Sequence, residues 1–272
     1  MILESQYQQG VDKSNPPLYH CGTINQAFKN YPMKEPNTLI YDLEVSPILG
    51  WYYDKYESNM VGMEHDYFLM SVSYKWLGEK KVYVHALPDF KTYKKDPYDD
   101  KELVAVLHTV LSKADIVIGH NMARFDERKS NARMILNGFE CPNPHTVIDT
   151  LKIARQKFAF TSNSLADLAE YLQIPQKKMH VGGAQWIKAI HGDMKTWDFI
   201  KKYNKRDIEV TEQVYLKLRS YMTNHPNMTM DDSPILCQTC GHDDLIKRGP
   251  KITKSGWRQY YQCKGCGSYR CI

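Results

Sequence analysis

The pattern of apolar residues changes character near residue 99, and that change limits the folds open to this chain. Before it lie consecutive strand-like segments: NTLIYDLEV, with Leu39, Ile40, Tyr41, Leu43 and Val45, then YFLMSVSYKW at 67–76 and KVYVHAL at 81–87. After it, helical spacing and short buried strands alternate. DDKELVAVLHTVLSK at 99–113 reads as a helix, ADIVIG at 114–119 as a strand and RFDERKSNARMIL as a helix. TVID at 146–149 is a strand, SLADLAEYL a helix capped by Ser164, and about 196–221 a longer helix. A run of strands followed by α/β alternation predicts an α/β fold, a mixed β-sheet flanked by helices.

The C-terminus obeys a different rule. Five of the seven cysteines fall in the last 36 residues, and only Cys21 and Cys141 lie elsewhere. Cys237-x-x-Cys240 and Cys263-x-x-Cys266 are separated by 22 residues, a spacing suited to one tetrahedral Zn²⁺. Each pair is followed by a glycine, Gly241 or Gly267, and KRGPKITKSGWRQYYQC between them supplies two hairpin strands. The segment resembles a small β zinc ribbon, and four thiolates leave no open position for catalysis. His242 and Cys271 are read as bystanders. The organisation expected is an N-terminal extension over 1–36, a main domain over 37–222, a linker over 223–235 and the ribbon over 236–272.

Composition excludes several classes. With 42% hydrophobic and 25% charged residues the chain is ordinary for a globular protein, not collagen, coiled coil or a disordered tract. The N-terminus lacks the apolar core of a secretory signal, and no apolar run approaches the ~20 residues of a membrane span. A cytoplasmic protein with no membrane partner is expected. The net charge of +5 permits a nucleic-acid partner without requiring one.

Four carboxylates stand out by their setting. Asp42 and Glu44 are i and i+2 on the first strand and so share a face. Asp126 follows a buried strand in GHNMARFDERK, and Asp207 lies on the long helix with Tyr203 one turn before it. Clustered carboxylates need cations to offset their repulsion, and Mg²⁺ or Mn²⁺ prefer oxygen ligands. Two such ions can stabilise the attacking and leaving oxygens of a phosphoryl transfer.

In their order these segments resemble the DEDD 3′–5′ exonucleases of the ribonuclease H-like fold. Asp42-Leu43-Glu44 is similar to the family's first motif, and Gly119-His120-Asn121 followed by Phe125-Asp126 to its second. Tyr203-x-x-x-Asp207 is similar to the third. Lys202 stands where the histidine variant has its base, which favours the tyrosine subclass. The resemblance spans about 37–221 and is nearest to the proofreading domains of family B DNA polymerases. It implies two Mg²⁺ or Mn²⁺ ions, with Asp42 bridging them, Glu44 and Asp207 completing the site that activates water, and Asp126 helping to hold the second. Tyr203 would orient the attacking water. The implied activity is 3′–5′ removal of nucleoside 5′-monophosphates from DNA, single-stranded by preference. The alternatives are an exoribonuclease, or a nucleic-acid-binding or recruitment protein whose nuclease site is vestigial. In a chain of this length a proofreading role is expected to need a separate polymerase.

Further contacts to nucleic acid are expected at Asn121 and Phe125, although Asn121 also suits a turn and Phe125 the core; Asp149 suits a helix cap. In the ribbon, Lys247, Arg248, Lys251 and Arg258 interleave with Trp257 and Tyr260, as a strand-binding surface would. The ribbon could instead dock a protein partner. Residues 46–66 form an aromatic-rich excursion: the simpler reading is a β-hairpin whose Trp51, Tyr52 and Tyr53 pack locally, the other a platform for nucleobases.

Overall fold

The computed structural model describes residues 35–175, 179, 181–229 and 236–271. Almost all of the expected N-terminal extension and residues 230–235 of the linker lie outside the described residues. Strand β1 (Thr38–Val45) is central, because its apolar residues can be buried on both faces. The excursion after it forms a separate two-stranded hairpin, β2 (Leu49–Trp51) and β3 (Gly62–His65). Next come β4 (Leu69–Trp76) and β5 (Tyr83–Ala86), then helix α1 (Lys101–Leu111), β6 (Ile116–Gly119) and α2 (Asp126–Leu136). β7 (Thr146–Asp149) leads into α3 (Thr150–Lys157), α4 (Leu165–Tyr171) and α5 (Gly183–Ile190), and the long α6 (Met194–Leu218) closes the layer.

The five-stranded sheet has the order β5-β4-β1-β6-β7. β1 is antiparallel to β4 and parallel to β6, and β7 is parallel to β6. This is the expected mixed, ribonuclease H-like sheet. Alternation along β1 sends Leu39, Tyr41 and Leu43 into one core, with α1, α2 and the start of α6. Ile40 enters the other, with Ile118, Ile148, α3, α4 and the later turns of α6. Two and four residues beyond Ile40 on that same face stand Asp42 and Glu44, so the apolar layer gives way to acid where the sheet meets α6.

A buried ion pair holds α2 in register with the sheet. Asp100, 1% exposed, receives two 2.7 Å bonds from Arg133, one of 2.8 Å from the Leu69 amide and one of 2.9 Å from Asn137. Truncating one partner of such a pair leaves the other charge buried and unpaired. Asp100→Ala is therefore expected to cost about 3–5 kcal/mol, read as a lower urea midpoint at unchanged slope.

The C-terminal residues form a three-stranded antiparallel sheet of order β10-β9-β8, from β8 (Leu245–Thr253), β9 (Gly256–Cys263) and β10 (Tyr269–Cys271). The described part of the linker is packed rather than loose. Met222 and Met228 lie against the second core, His225 Nε2 meets the Tyr215 hydroxyl at 2.9 Å, and the Met228 amide donates to Gln238. No helix among the described residues is long and apolar enough to cross a membrane.

Candidate active site and thiolate cluster

Asp42 and Glu44 on β1 and Asp207 on α6 each offer an oxygen, and the three oxygens lie within 4.8 Å of one another. Tyr203, one turn earlier on α6, hydrogen-bonds Asp207 through its phenol. Such close acids repel. Burial, then the charges of Asp126, Glu44 and Asp207, hold the Asp42 carboxyl well above the usual carboxylate range. Burial and Asp207 do the same to Glu44. Burial and the Asp207 charge also push the Tyr203 phenol up, so it is a proton donor at neutral pH and not a base.

Asp126 stands beside this cluster rather than within it. β6 pairs with β1 only as far as Ile40, which frees the next stretch of that edge, and the Leu43 amide donates to Asp126 Oδ1 at 3.1 Å. The turn that delivers Asp126 depends on the G-H-N residues. A Cβ on Gly119 would come within 2.3 Å of Met122 Cε, and Asn121 adopts a left-handed φ of 63°. The Asn121 and Ala123 amides donate to Asp149, which also caps α3 through the Leu151 and Lys152 amides. Phe125 is half-buried and, among the described residues, belongs to neither core cluster.

One residue at the site was not anticipated. Asn204 is fully buried; its Nδ2 donates to Asp42 Oδ2 at 2.7 Å and its Oδ1 accepts from Ser71 Oγ at 2.9 Å. The signal was an amide at a core position of α6, between Ile200 and Ile208 at helical spacing.

Burial raises Asp207 from 3.8 to about 6 and, likewise, Asp126 from 3.8 to about 7. The metal-free fold thus binds protons more tightly than the unfolded chain. Their contribution to stability is complete below about pH 4 and lost as pH rises through 6 and 7. Without divalent ions the chain should melt lower at pH 8 than at pH 6, and Mg²⁺ or Mn²⁺ should restore more at pH 8. Asp126→Asn, whose amide oxygen can still accept from Leu43, should flatten that dependence in a calorimetric scan.

The cysteine sulfurs also converge. All four lie within 4.8 Å, with Cys237 and Cys266 at 3.6 Å and Cys240 and Cys263 at 3.7 Å. Tetrahedral Zn–S bonds of about 2.3 Å put sulfurs roughly 3.8 Å apart, so the set fits zinc and a zinc ribbon. Gly241 and Gly267 have φ of 76° and 78°, and their amides close the two turns onto Cys237 and Cys263. Cys271 is exposed and, like His242, stands outside the cluster.

The ribbon does not gather its basic and aromatic residues on one face. In the β8–β9 register, Lys251 opposes Arg258 while Ile252 opposes Trp257. By alternation Arg248, Lys251, Arg258 and Tyr260 share one face, and Lys247 and Trp257 the other; Arg248 bonds Gln262 across the first. The excursion is a hairpin, but its rings do not pack locally. Trp51 is 66% exposed and Tyr53 87%, with Tyr52 and Tyr56 also outward. Among the described residues the two short strands pair only with each other, and no further layer covers these rings.

A family model described as the RNase_H superfamily matches residues 57–219, beginning after Asp42 and Glu44 and ending before the cysteines. Among solved structures, the chain is similar to the family B DNA polymerase from the hyperthermophilic archaeon Pyrobaculum calidifontis, at 15% identity and a TM-score of 0.50. That likeness covers 68% of this chain and 25% of the polymerase, so the chain spans about a quarter of its length. No curated protein matches the chain in sequence.

Proposed function

The chain belongs to the RNase H superfamily, and from that premise we propose that it is a metal-dependent 3′–5′ exonuclease that shortens single-stranded DNA and releases nucleoside 5′-monophosphates. The observation that carries this reading is the convergence of Asp42, Glu44 and Asp207 within 4.8 Å, with the phenol of Tyr203 bonded to Asp207. Two Mg²⁺ or Mn²⁺ ions, held by these carboxylates with Asp126 beside them, would supply charge stabilisation to the attacking and leaving oxygens. Tyr203, protonated, gives up its bond to Asp207 and orients the attacking water. Asn204 fixes the Asp42 carboxylate, and Asp126 fixes the edge of β1 through the Leu43 amide. Water adds to phosphorus, the bond to the 3′ oxygen breaks, and the proton passes to that oxygen. The products are a 5′-monophosphate and a strand one nucleotide shorter.

In this reading residues 37–222 carry the chemistry and 236–272 a structural Zn²⁺ on Cys237, Cys240, Cys263 and Cys266. The Arg248, Lys251, Arg258 and Tyr260 face of the ribbon is the one suited to a nucleic-acid strand. The test incubates 5′-labelled single-stranded DNA, duplex DNA and RNA with Mg²⁺ or Mn²⁺. A ladder shortening from the 3′ end, on DNA before RNA and abolished without divalent ions, is the expected result. Faster trimming of RNA would make the enzyme an exoribonuclease, and binding without cleavage would leave a recruitment protein.

A further inference from the structure

Next to Asp149, at the end of β7, lies a cavity of about 570 Å³ lined by Arg124 and Arg128 from one segment and Lys152 and Arg155 from another. Arg124, in the turn before α2, and Arg128 on its first turn both line the cavity, and Lys152 and Arg155 are i and i+3 on α3 and share a face. All four are exposed, and among the described residues none of them forms an ion pair. The acid in the floor, Asp149, is already saturated. Its oxygens accept from the amides of Asn121, Ala123, Leu151 and Lys152 at 3.0–3.3 Å. Four cations therefore face a single screened carboxylate.

The sheet fixes where this cavity lies. Ile40 is level with Ile118, and Gly119 is level with Asp149, so the carboxyl ends of β1, β6 and β7 form one edge. Asp42 leaves that edge from β1 and the cavity opens beside β7, two strand spacings or roughly 10 Å away. That distance is about three stacked nucleotides at roughly 3.4 Å each. The volume holds well over a dozen waters at about 30 Å³ apiece, far more than one phosphate needs.

We propose that this cavity binds the sugar–phosphate backbone of a single strand on the 5′ side of the bond being cut, with Arg124, Arg128, Lys152 and Arg155 on successive phosphates. The proposal rests on the nuclease reading for the direction of the strand, but not for the binding itself.

The test measures binding of a 5′-fluorescein single-stranded oligonucleotide by anisotropy across a salt series, in an Asp42→Ala chain so that the strand survives. Combining Arg124→Ala, Arg128→Ala and Arg155→Ala should reduce the slope of log K against log salt by about 2, at roughly 0.7 per phosphate contact. Affinity at low salt should fall at least tenfold. The three corresponding Arg→Lys changes should recover the slope, which a mere loss of fold would not allow. An unchanged slope in the alanine chain overturns the proposal. So does a chain that keeps its slope but no longer yields to competition by inorganic phosphate or a 5′-mononucleotide, which would make the cavity a product site. Cleavage by the wild-type chain is scored separately. Cleavage with an unaltered slope removes this inference alone, whereas a lost slope without any cleavage removes the nuclease reading alone.

Discussion

Asp42→Asn should lower phosphodiester hydrolysis on the order of 10³-fold or more, about 4 kcal/mol of transition-state stabilisation, while leaving the fold intact. Asp42 is the acid on which every other charge of the site bears, with Asp126, Glu44 and Asp207 all acting on it. Replacing it by a neutral group removes both a ligand and the charge that holds a cation beside Glu44 and Asp207. Asparagine is the informative replacement, because Asn204 Nδ2 donates to Asp42 Oδ2 and needs an acceptor there. Asp42→Ala should lose the same activity and also destabilise by about 1–3 kcal/mol, since the buried Asn204 amide loses its 2.7 Å acceptor and keeps only the Asp42 carbonyl at 3.4 Å. Without divalent ions the Asn variant should be the more stable protein at neutral pH, because it relieves repulsion. The readouts are single-turnover cleavage and urea denaturation of the three chains side by side. Wild-type rates in Asp42→Asn would remove the carboxylate cluster from the chemistry.

Withdrawing the zinc proposed for the four cysteines should unfold residues 236–271 outright. Among the described residues of that segment the buried ones are Cys237, Cys263 and Ser268, so no apolar core holds β8, β9 and β10 together once the sulfurs part. In such domains the metal's binding energy is folding energy, about 10–16 kcal/mol for structural Zn²⁺ at pH 7. Cys263→Ser, at a side chain 1% exposed, should have the same effect as a chelator. The expected signature is one tightly bound zinc per chain, and collapse of amide dispersion in an NMR spectrum confined to the ribbon and its contact at Met228. A ribbon that keeps its spectrum after the metal has been removed would show that the thiolates do not hold it.

Much of this was legible in the chain because period and spacing are local properties. The strand TVID, the Ser164 cap and the Asp149 cap appear where the residues place them. The i, i+2 relation of Asp42 and Glu44 and the one-turn relation of Tyr203 and Asp207 follow from backbone geometry alone. What escaped depends on long-range packing. Nothing near Asp100 announces that it will meet Arg133, and nothing near Ser71 announces Asn204. Helix α5, which opens at Gly182-Gly183, was missed because two glycines disguise a start that Gln185 caps through the Gly182 amide. The exposure of Trp51, Tyr52 and Tyr53 could not be read either, since aromatic content does not say whether a third layer exists to cover the rings.

The placement of the acids on β1 has a consequence for how unevenly the molecule opens. β1 is hydrogen-bonded by β4 along nearly its whole length and by β6 over its first three residues, so freeing Asp42 requires separating the centre of the sheet. Its amides should therefore exchange with solvent deuterium only at free energies close to global unfolding. The β2–β3 hairpin, which among the described residues pairs only with itself and meets the rest through His65 stacked on Tyr98, should open at far less. Rigidity is concentrated at the centre of the sheet that carries the acids, and plasticity in the exposed hairpin. A longer, shorter or differently decorated hairpin could thus be accommodated without displacing the carboxylates.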